Sequence, residues 1–266
     1  MEKKFEHSSM SHRINTMLKV DFRRMFTTRF LYIMVGICLV MPILMLVMTT
    51  MVGDTTMVDP TTGAETSMGS FTNTWQAIGS YSGANMMTMD LTTMCNINML
   101  YFFLAVLVCV FVADDFRSGY AKNLFTVRAG KGDYVISKTL VCFVGGALML
   151  LAFFVGAVLG GAIAGLPFDT GTAGIAGIVM CMIAKICLVP LFVSIFLTVS
   201  VAAKQKTWLS LILGFMAGML LFMMVPMMTP LDSGVMNVVM CMAGGALFSA
   251  GLGMVSKTVL TKTSLV

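Results

Sequence analysis

Six apolar runs, each long enough to cross a bilayer as a helix, constrain this chain more than any other feature of it. A hydrocarbon core about 30 Å thick takes roughly 20 helical residues. The runs lie near residues 30–50, 96–113, 138–164, 173–201, 208–228 and 235–255. A soluble domain carries about a quarter charged residues, whereas here only 11% are charged and 58% are hydrophobic. The expected fold class is therefore an all-α membrane protein with six transmembrane helices. The sizeable polar segment between spans, about Met51–Cys95, is rich in Thr, Ser, Gly, Asp and Met. It reads equally as a lid over a path and as a loop without fixed structure.

Charge placement orients the spans. Lys3, Lys4, Arg13, Lys19, Arg23, Arg24 and Arg29 precede the first run, and Arg117, Lys122, Arg128, Lys131 and Lys138 lie between the second and third. Lys204 and Lys206 separate the fourth from the fifth, and Lys257 and Lys262 follow the sixth. The alternate connections hold Asp54, Asp59, Glu65, Asp90, Asp169 and Asp232 and no Lys or Arg. The positive-inside rule then puts both termini in the cytosol. The net charge of +5 belongs to that face and implies no nucleic-acid partner. The long charged lead and the length of the first run point to a retained anchor rather than a cleaved signal.

Two polar segments carry helical periodicity. In Arg13–Arg29 the residues Ile14, Met17, Leu18, Phe22, Met25 and Phe26 form an apolar stripe opposite Arg13, Lys19, Arg23 and Arg24. Such a helix lies in the membrane interface. Between spans two and three, Asp114–Lys138 is a charged island. Phe116, Tyr120, Leu124 and Val127 share one helical face there, with Arg117, Lys122, Asn123 and Arg128 mostly on the other. Gly130-Lys131-Gly132 then breaks the helix, and Asp133 is placed to cap the next one. A short amphipathic helix in such a turn either docks on a soluble partner, with Phe116, Tyr120 and Leu124 as groove anchors, or lies on the membrane surface.

The island resembles the coupling segment of the type-two permeases of ATP-binding-cassette (ABC) exporters. In that family an acidic residue closes the second span, a glycine follows four positions on, and a basic-aromatic run leads to a lysine opening the third. Those positions read Asp115, Gly119, Lys131, Tyr134 and Lys138 here. The sequence departs from the pattern in having Asp where Glu is usual and Tyr120 where a small hydroxyl residue is common. The resemblance extends to span number, chain length and the N-terminal helix. It implies a permease subunit exporting a peptide, lantibiotic-type for instance, or a lipid-like amphipath across the plasma membrane. Separate ABC ATPase subunits would hold ATP and Mg, with no cofactor on this chain. They would dock on Asp115, Phe116, Arg117, Tyr120, Leu124 and Arg128, and a second copy or a homologous permease would complete the pathway. The implied layout is a cytosolic tail and interfacial helix over 1–29, a six-span domain over 30–255 with its coupling segment at 114–138, and a cytosolic tail over 256–266. The competing classes are a membrane sensor or scaffold, and an ion-coupled secondary transporter with acidic or broken-helix sites at mid-membrane.

Individual residues add to this. Lys185 is the ionisable residue placed deep in a span, where a charge costs roughly 2.5–3.5 kcal/mol on insertion scales. It either lines a path for an anionic or amphipathic substrate, or snorkels, pairs with another subunit or meets backbone carbonyls. Gly156/Gly160, Gly161/Gly165 and Gly214/Gly218 are small-residue pairs that let helix backbones approach, within the chain or across a dimer seam. The 29 methionines suit adaptable apolar packing better than soft-metal binding. The seven cysteines lie mostly in spans and read as small apolar packers rather than a metal or disulfide framework. The histidines, His7 and His12, are both in the N-terminal tail, and no GxxxxGK[ST] phosphate loop occurs, so the chain is not expected to be an enzyme.

Overall fold

The structure is a computed structural model that describes residues 10–52, 56–58, 65–67, 71–81, 95–126, 130–203, 206–222 and 224–262. It is a helical bundle. Helix α1 spans Met10–Thr27, and α2 spans Arg29–Val52. The two meet at Thr28, whose N–H and hydroxyl both donate back to the carbonyl of Arg24. Next come α3 (Leu100–Arg117), the short α4 (Tyr120–Thr126), α5 (Lys131–Ala164) and α6 (Gly174–Ala203). The chain continues with α7 (Thr207–Phe222), α8 (Met224–Met228) and α9 (Val235–Lys262). Two three-residue strands, β1 (Thr56–Val58) and β2 (Glu65–Ser67), pair antiparallel, with Thr56 opposite Ser67.

Among the described residues, five helices are long and apolar enough to cross a membrane: Arg29–Met51, Ile97–Arg117, Lys131–Ala164, Gly174–Ala203 and Val235–Lys262. The expected fifth span is described in two parts, α7 and α8, on either side of residue 223, which lies outside the described residues. The 16 residues of α7 alone reach about 24 Å at 1.5 Å per residue. Pro226 lies in α8, where it lacks the N–H that would tie it back to the preceding helix. The third expected span, α5, also begins earlier than its hydropathy suggests. At 34 residues it runs about 51 Å, so its charged first turns project beyond the apolar run.

Close backbone approach sets the packing. A Cβ on Gly156 would collide with the Leu39 carbonyl of α2, and one on Gly160 would sit 2.8 Å from Ile43 Cα. This glycine pair therefore works inside the chain, between α2 and α5. Gly245 of α9 meets the Cys187 carbonyl of α6 in the same way. Hydroxyl pairs Ser194–Ser249 (2.8 Å) and Thr198–Ser256 (2.7 Å) run along that second seam, and Ser200–Ser210 (2.7 Å) ties α6 to α7. Gly165 ends α5 at φ 70°, a left-handed cap that costs glycine nothing. The expected Gly161/Gly165 pair is thus a backbone device at its second member.

Part of the long loop is built onto the bundle. Residues 71–81 cap the end where α5 finishes. Trp75 packs on Phe154 and Phe168 with ring centres 6.2 and 5.8 Å away. The Thr74 N–H donates to the Pro167 carbonyl, and the Leu231 N–H donates to the Ser80 carbonyl. Phe71, Ala77 and Ile78 are the buried side chains of this cap.

Candidate functional site

The charged island resolves into a helix end, a break and a new helix. After Asp115, Phe116 and Arg117, the chain leaves α3 through Ser118, and Gly119 takes φ 71°. That left-handed conformation costs other L-residues roughly 1–2 kcal/mol, so glycine is the residue suited to the corner. The expected helix carrying Phe116, Tyr120 and Leu124 is therefore two helices. Phe116 belongs to the long one, and Tyr120 and Leu124 belong to α4.

The break brings four charges together behind α4. On α1, Met17, Asp21 and Met25 follow one another at helical spacing on the buried face, so a carboxylate interrupts the apolar stripe. Lys138 Nζ of α5 lies 2.8 Å from Asp21 Oδ1 and 2.7 Å from Asp115 Oδ2, and all three side chains are 0% exposed. Arg24 Nη1 lies 2.6 Å from the other Asp115 oxygen. Hydroxyls add to these contacts: Tyr134 OH donates to Asp115 Oδ2 at 2.8 Å, and Ser137 Oγ donates to Asp21 Oδ2 at 2.7 Å. Aromatic faces complete the shell, with Lys138 Nζ 4.2 Å from the Phe111 ring centre and Arg24 4.1 Å from that of Tyr120.

Two acids and two bases thus neutralise one another across α1, α3 and α5. Burial alone would pull Arg24 down, but the charge and hydrogen bond of Asp115 outweigh it and hold the guanidinium above its ordinary value. Tyr120 is pushed up, first by burial and then by the Asp21 and Asp115 carboxylates.

The residues expected to dock a partner fall into two groups. Asp115 is inside the cluster, and Phe116, Tyr120 and Leu124 are half-buried, with Phe116 and Leu124 packed on the core. The apolar stripe therefore holds α4 against its own bundle. Arg117, Lys122, Asn123 and Thr126 are exposed, and they form the face that α4 and its corner present outward. Arg128 and Val127 lie outside the described residues. Asp133 does not cap α5: Gly130 occupies the N-cap without a side-chain bond, and Asp133 sits in the first turn, 3.6 Å from Arg13 Nε.

A family model described as an ABC-2 family transporter protein matches residues 18–221. The chain belongs to the ABC-2 transporter family. No curated protein and no solved structure matches it. Membership makes the chain the membrane permease component of an ABC transporter rather than the ATPase, and implies an ATP-binding-cassette partner. Five long apolar helices fit a multi-pass membrane protein of that family. The matched region contains the whole charge cluster.

Two further features of this ABC-2 permease are a cleft and a buried cation. A cleft of about 490 Å³ opens beside the cluster at the α1–α2 corner. Arg24, Thr27, Thr28 and Asp114 form its polar part, and Met25, Phe30, Leu31, Leu107, Val110 and Phe111 its apolar part. Its size falls in the range of roughly 300–1,000 Å³ common for ligand sites. At the capped end, Lys185 of α6 is 0% exposed. Its Nζ donates to Asn98 Oδ1 at 2.8 Å and to Thr229 Oγ1 at 2.9 Å, and the hydroxyl of Tyr101 donates to its backbone carbonyl at 2.8 Å. Lys185 therefore meets neutral side-chain oxygens rather than snorkelling.

Asp21, Ser137, Asn98 and Thr229 were not legible as site residues. Asp21 had one signal, an acid at an apolar-stripe position of α1. The other three come from distant segments and carry no pattern of their own. Among the described residues no group of three or more His, Cys, Asp or Glu side chains lies together for a metal, and all seven cysteines are free thiols.

Proposed function

We propose that this permease exports an amphipathic peptide or lipid-like molecule across the plasma membrane, energised by ATP and Mg bound on a separate ABC ATPase. The observation that carries this reading is the neutralised cluster behind α4. It ties the short helix to the ends of α1, α3 and α5, so a push on α4 moves three helices together. The ATPase seats on the exposed face of Arg117, Lys122 and Asn123, and Arg128 is a further docking residue of the same segment. Asp115, Phe116, Tyr120 and Leu124 hold that face from behind, and the docking is polar and salt-sensitive. In this reading α1 is the interfacial helix, α7 with α8 completes a sixth crossing, and both termini are cytosolic. A second copy or a homologous permease closes the pathway. The part-polar, part-apolar cleft at the α1–α2 corner supports an amphipath drawn from the inner leaflet.

Co-purification with the ATPase in lipid tests the reading, using an Arg117→Glu/Lys122→Glu variant. It should insert and fold normally, lose the ATPase and stop transport, while substrate-stimulated hydrolysis persists in the wild type. Retention of a fully coupled ATPase by the variant would refute docking at this face. Cysteines introduced at Thr62 and at Lys122 report orientation in intact cells, and only the first should label from outside.

A further inference from the structure

The surroundings of Lys185 hold more hydrogen-bond donors than acceptors. An ammonium has three N–H donors, and two of those of Lys185 are taken by Asn98 and Thr229. The amide nitrogens of Asn98 and Asn96 are buried with no partner at all. Turning either carboxamide over does not cure this. Asn98 Oδ1 accepts from Lys185, so a flip would set its NH2 against the ammonium. Asn96 Oδ1 accepts from the Asn98 backbone N–H, so its flip would set two donors face to face. The Thr229 hydroxyl spends its own proton on the Val225 carbonyl. Both carboxamides are thus locked in orientations that leave N–H bonds unfilled, that of Asn98 directly beside the ammonium and that of Asn96 one hydrogen bond further on. No carboxylate pairs with Lys185 among the described residues.

Buried polar groups are nearly always satisfied, and an orphaned one costs about 1–3 kcal/mol. A charge inside a membrane bundle marks a functional site by default. We propose that Lys185, Asn98 and Asn96 form a binding site for a single carboxylate-class anion, closed in this structure by the turn at Thr229–Leu231. A carboxylate supplies one negative charge and two acceptor oxygens, which match the ammonium and the two carboxamide donors. The site opens when that turn separates from residues 71–81, to which it is held by the Leu231 N–H on the Ser80 carbonyl. The site rests on the transport reading only in making the anion part of the cargo. Binding itself concerns the isolated chain, so its failure would leave ATPase docking untouched.

The test is the unfolding temperature of the purified chain in nanodiscs, with acetate and chloride titrated separately at fixed ionic strength against a bulky sulfonate. Acetate should raise the Tm of the wild type saturably, by about 2–4 °C for each kcal/mol of linkage. Lys185→Met should lose the response, with acetate binding weakened at least tenfold. Asn98→Asp supplies the missing carboxylate from within, so it should raise the Tm without acetate and abolish the acetate response. Parallel acetate curves for wild type and Lys185→Met would overturn the site. So would an Asn98→Asp protein less stable than wild type, since that outcome leaves no anion vacancy to fill. A chloride response equal to that of acetate would overturn the carboxylate assignment.

Discussion

The two ends of the bundle handle buried charge in opposite ways. Behind α4, Asp21, Asp115, Arg24 and Lys138 cancel one another, and hydroxyls from Tyr134 and Ser137 also donate to the carboxylates. Under the loop cap, Lys185 has neutral oxygens for partners, with orphaned amides beside it. A balanced cluster rigidifies the helices it joins, because losing any one member strands the others. A lone cation beside unfilled donors is a site in wait. On the two proposals above, the first end transmits force and the second meets a ligand.

The largest effect should come from breaking the balance. Lys138→Met leaves Asp21 and Asp115 sharing Arg24, which itself reaches only Asp115 with a short contact. Removing one partner of a buried pair costs about 3–5 kcal/mol. Adding Asp21→Leu removes the stranded carboxylate and leaves Asp115 with Arg24, so the double variant should recover much of that loss. A double-mutant cycle on reversible unfolding in lipid or mixed micelles checks this. Additive losses would mean that the charges do not act as one unit.

A smaller effect is expected at the rim, where Arg24 is a quarter exposed. Arg24→Lys keeps the charge but loses the planar contact over Tyr120 and the second reach toward Asp114 at 3.6 Å. A cation–π contact of this kind is worth about 0.5–2 kcal/mol depending on desolvation. The variant should therefore unfold within about 2 kcal/mol of wild type. A loss as large as that of Lys138→Met would place Arg24 inside the balanced core rather than at its edge.

Hydropathy and charge spacing made the helical membrane class and the five long apolar helices readable, but Lys131–Ala164 starts well before its expected run and Val235–Lys262 ends well after its own. Each such signal is local and repeats over many residues. The fifth run, described as α7 and α8, has the hydropathy of a single span over its whole length. The island shows the limit of such signals at finer scale. Phe116, Tyr120 and Leu124 have flawless helical spacing, yet Gly119 turns the chain between the first and second, and the stripe faces inward. Periodicity states which residues share a face; it does not state whether that face meets a partner or the chain's own core. Lys185 was recognisable as anomalous because one charge stands out in an apolar run. Its acceptors, Asn98 and Thr229, lie 87 and 44 residues away and were out of reach of any spacing argument.

The smallest stability effect should be at Lys185 itself. Lys185→Met, measured without added anion, removes a fully buried ammonium that has no carboxylate partner among the described residues, so the desolvation cost of that charge disappears. Two hydrogen bonds are lost with it, and Asn98 Oδ1 is left without its donor. That loss counts for about 1–3 kcal/mol in the other direction. Methionine fills much of the same volume with a flexible apolar chain, so little cavity cost is added. The opposing contributions are of similar size, and the net change should stay within about 1 kcal/mol, several-fold below that of Lys138→Met. Side-by-side unfolding of the two lysine variants in the same lipid makes the comparison directly. If Lys185→Met lost as much as Lys138→Met, Lys185 would be a structural tie between α6, the Asn98 turn and the Thr229 turn. The division between a force-bearing end and a ligand-meeting end would then fail.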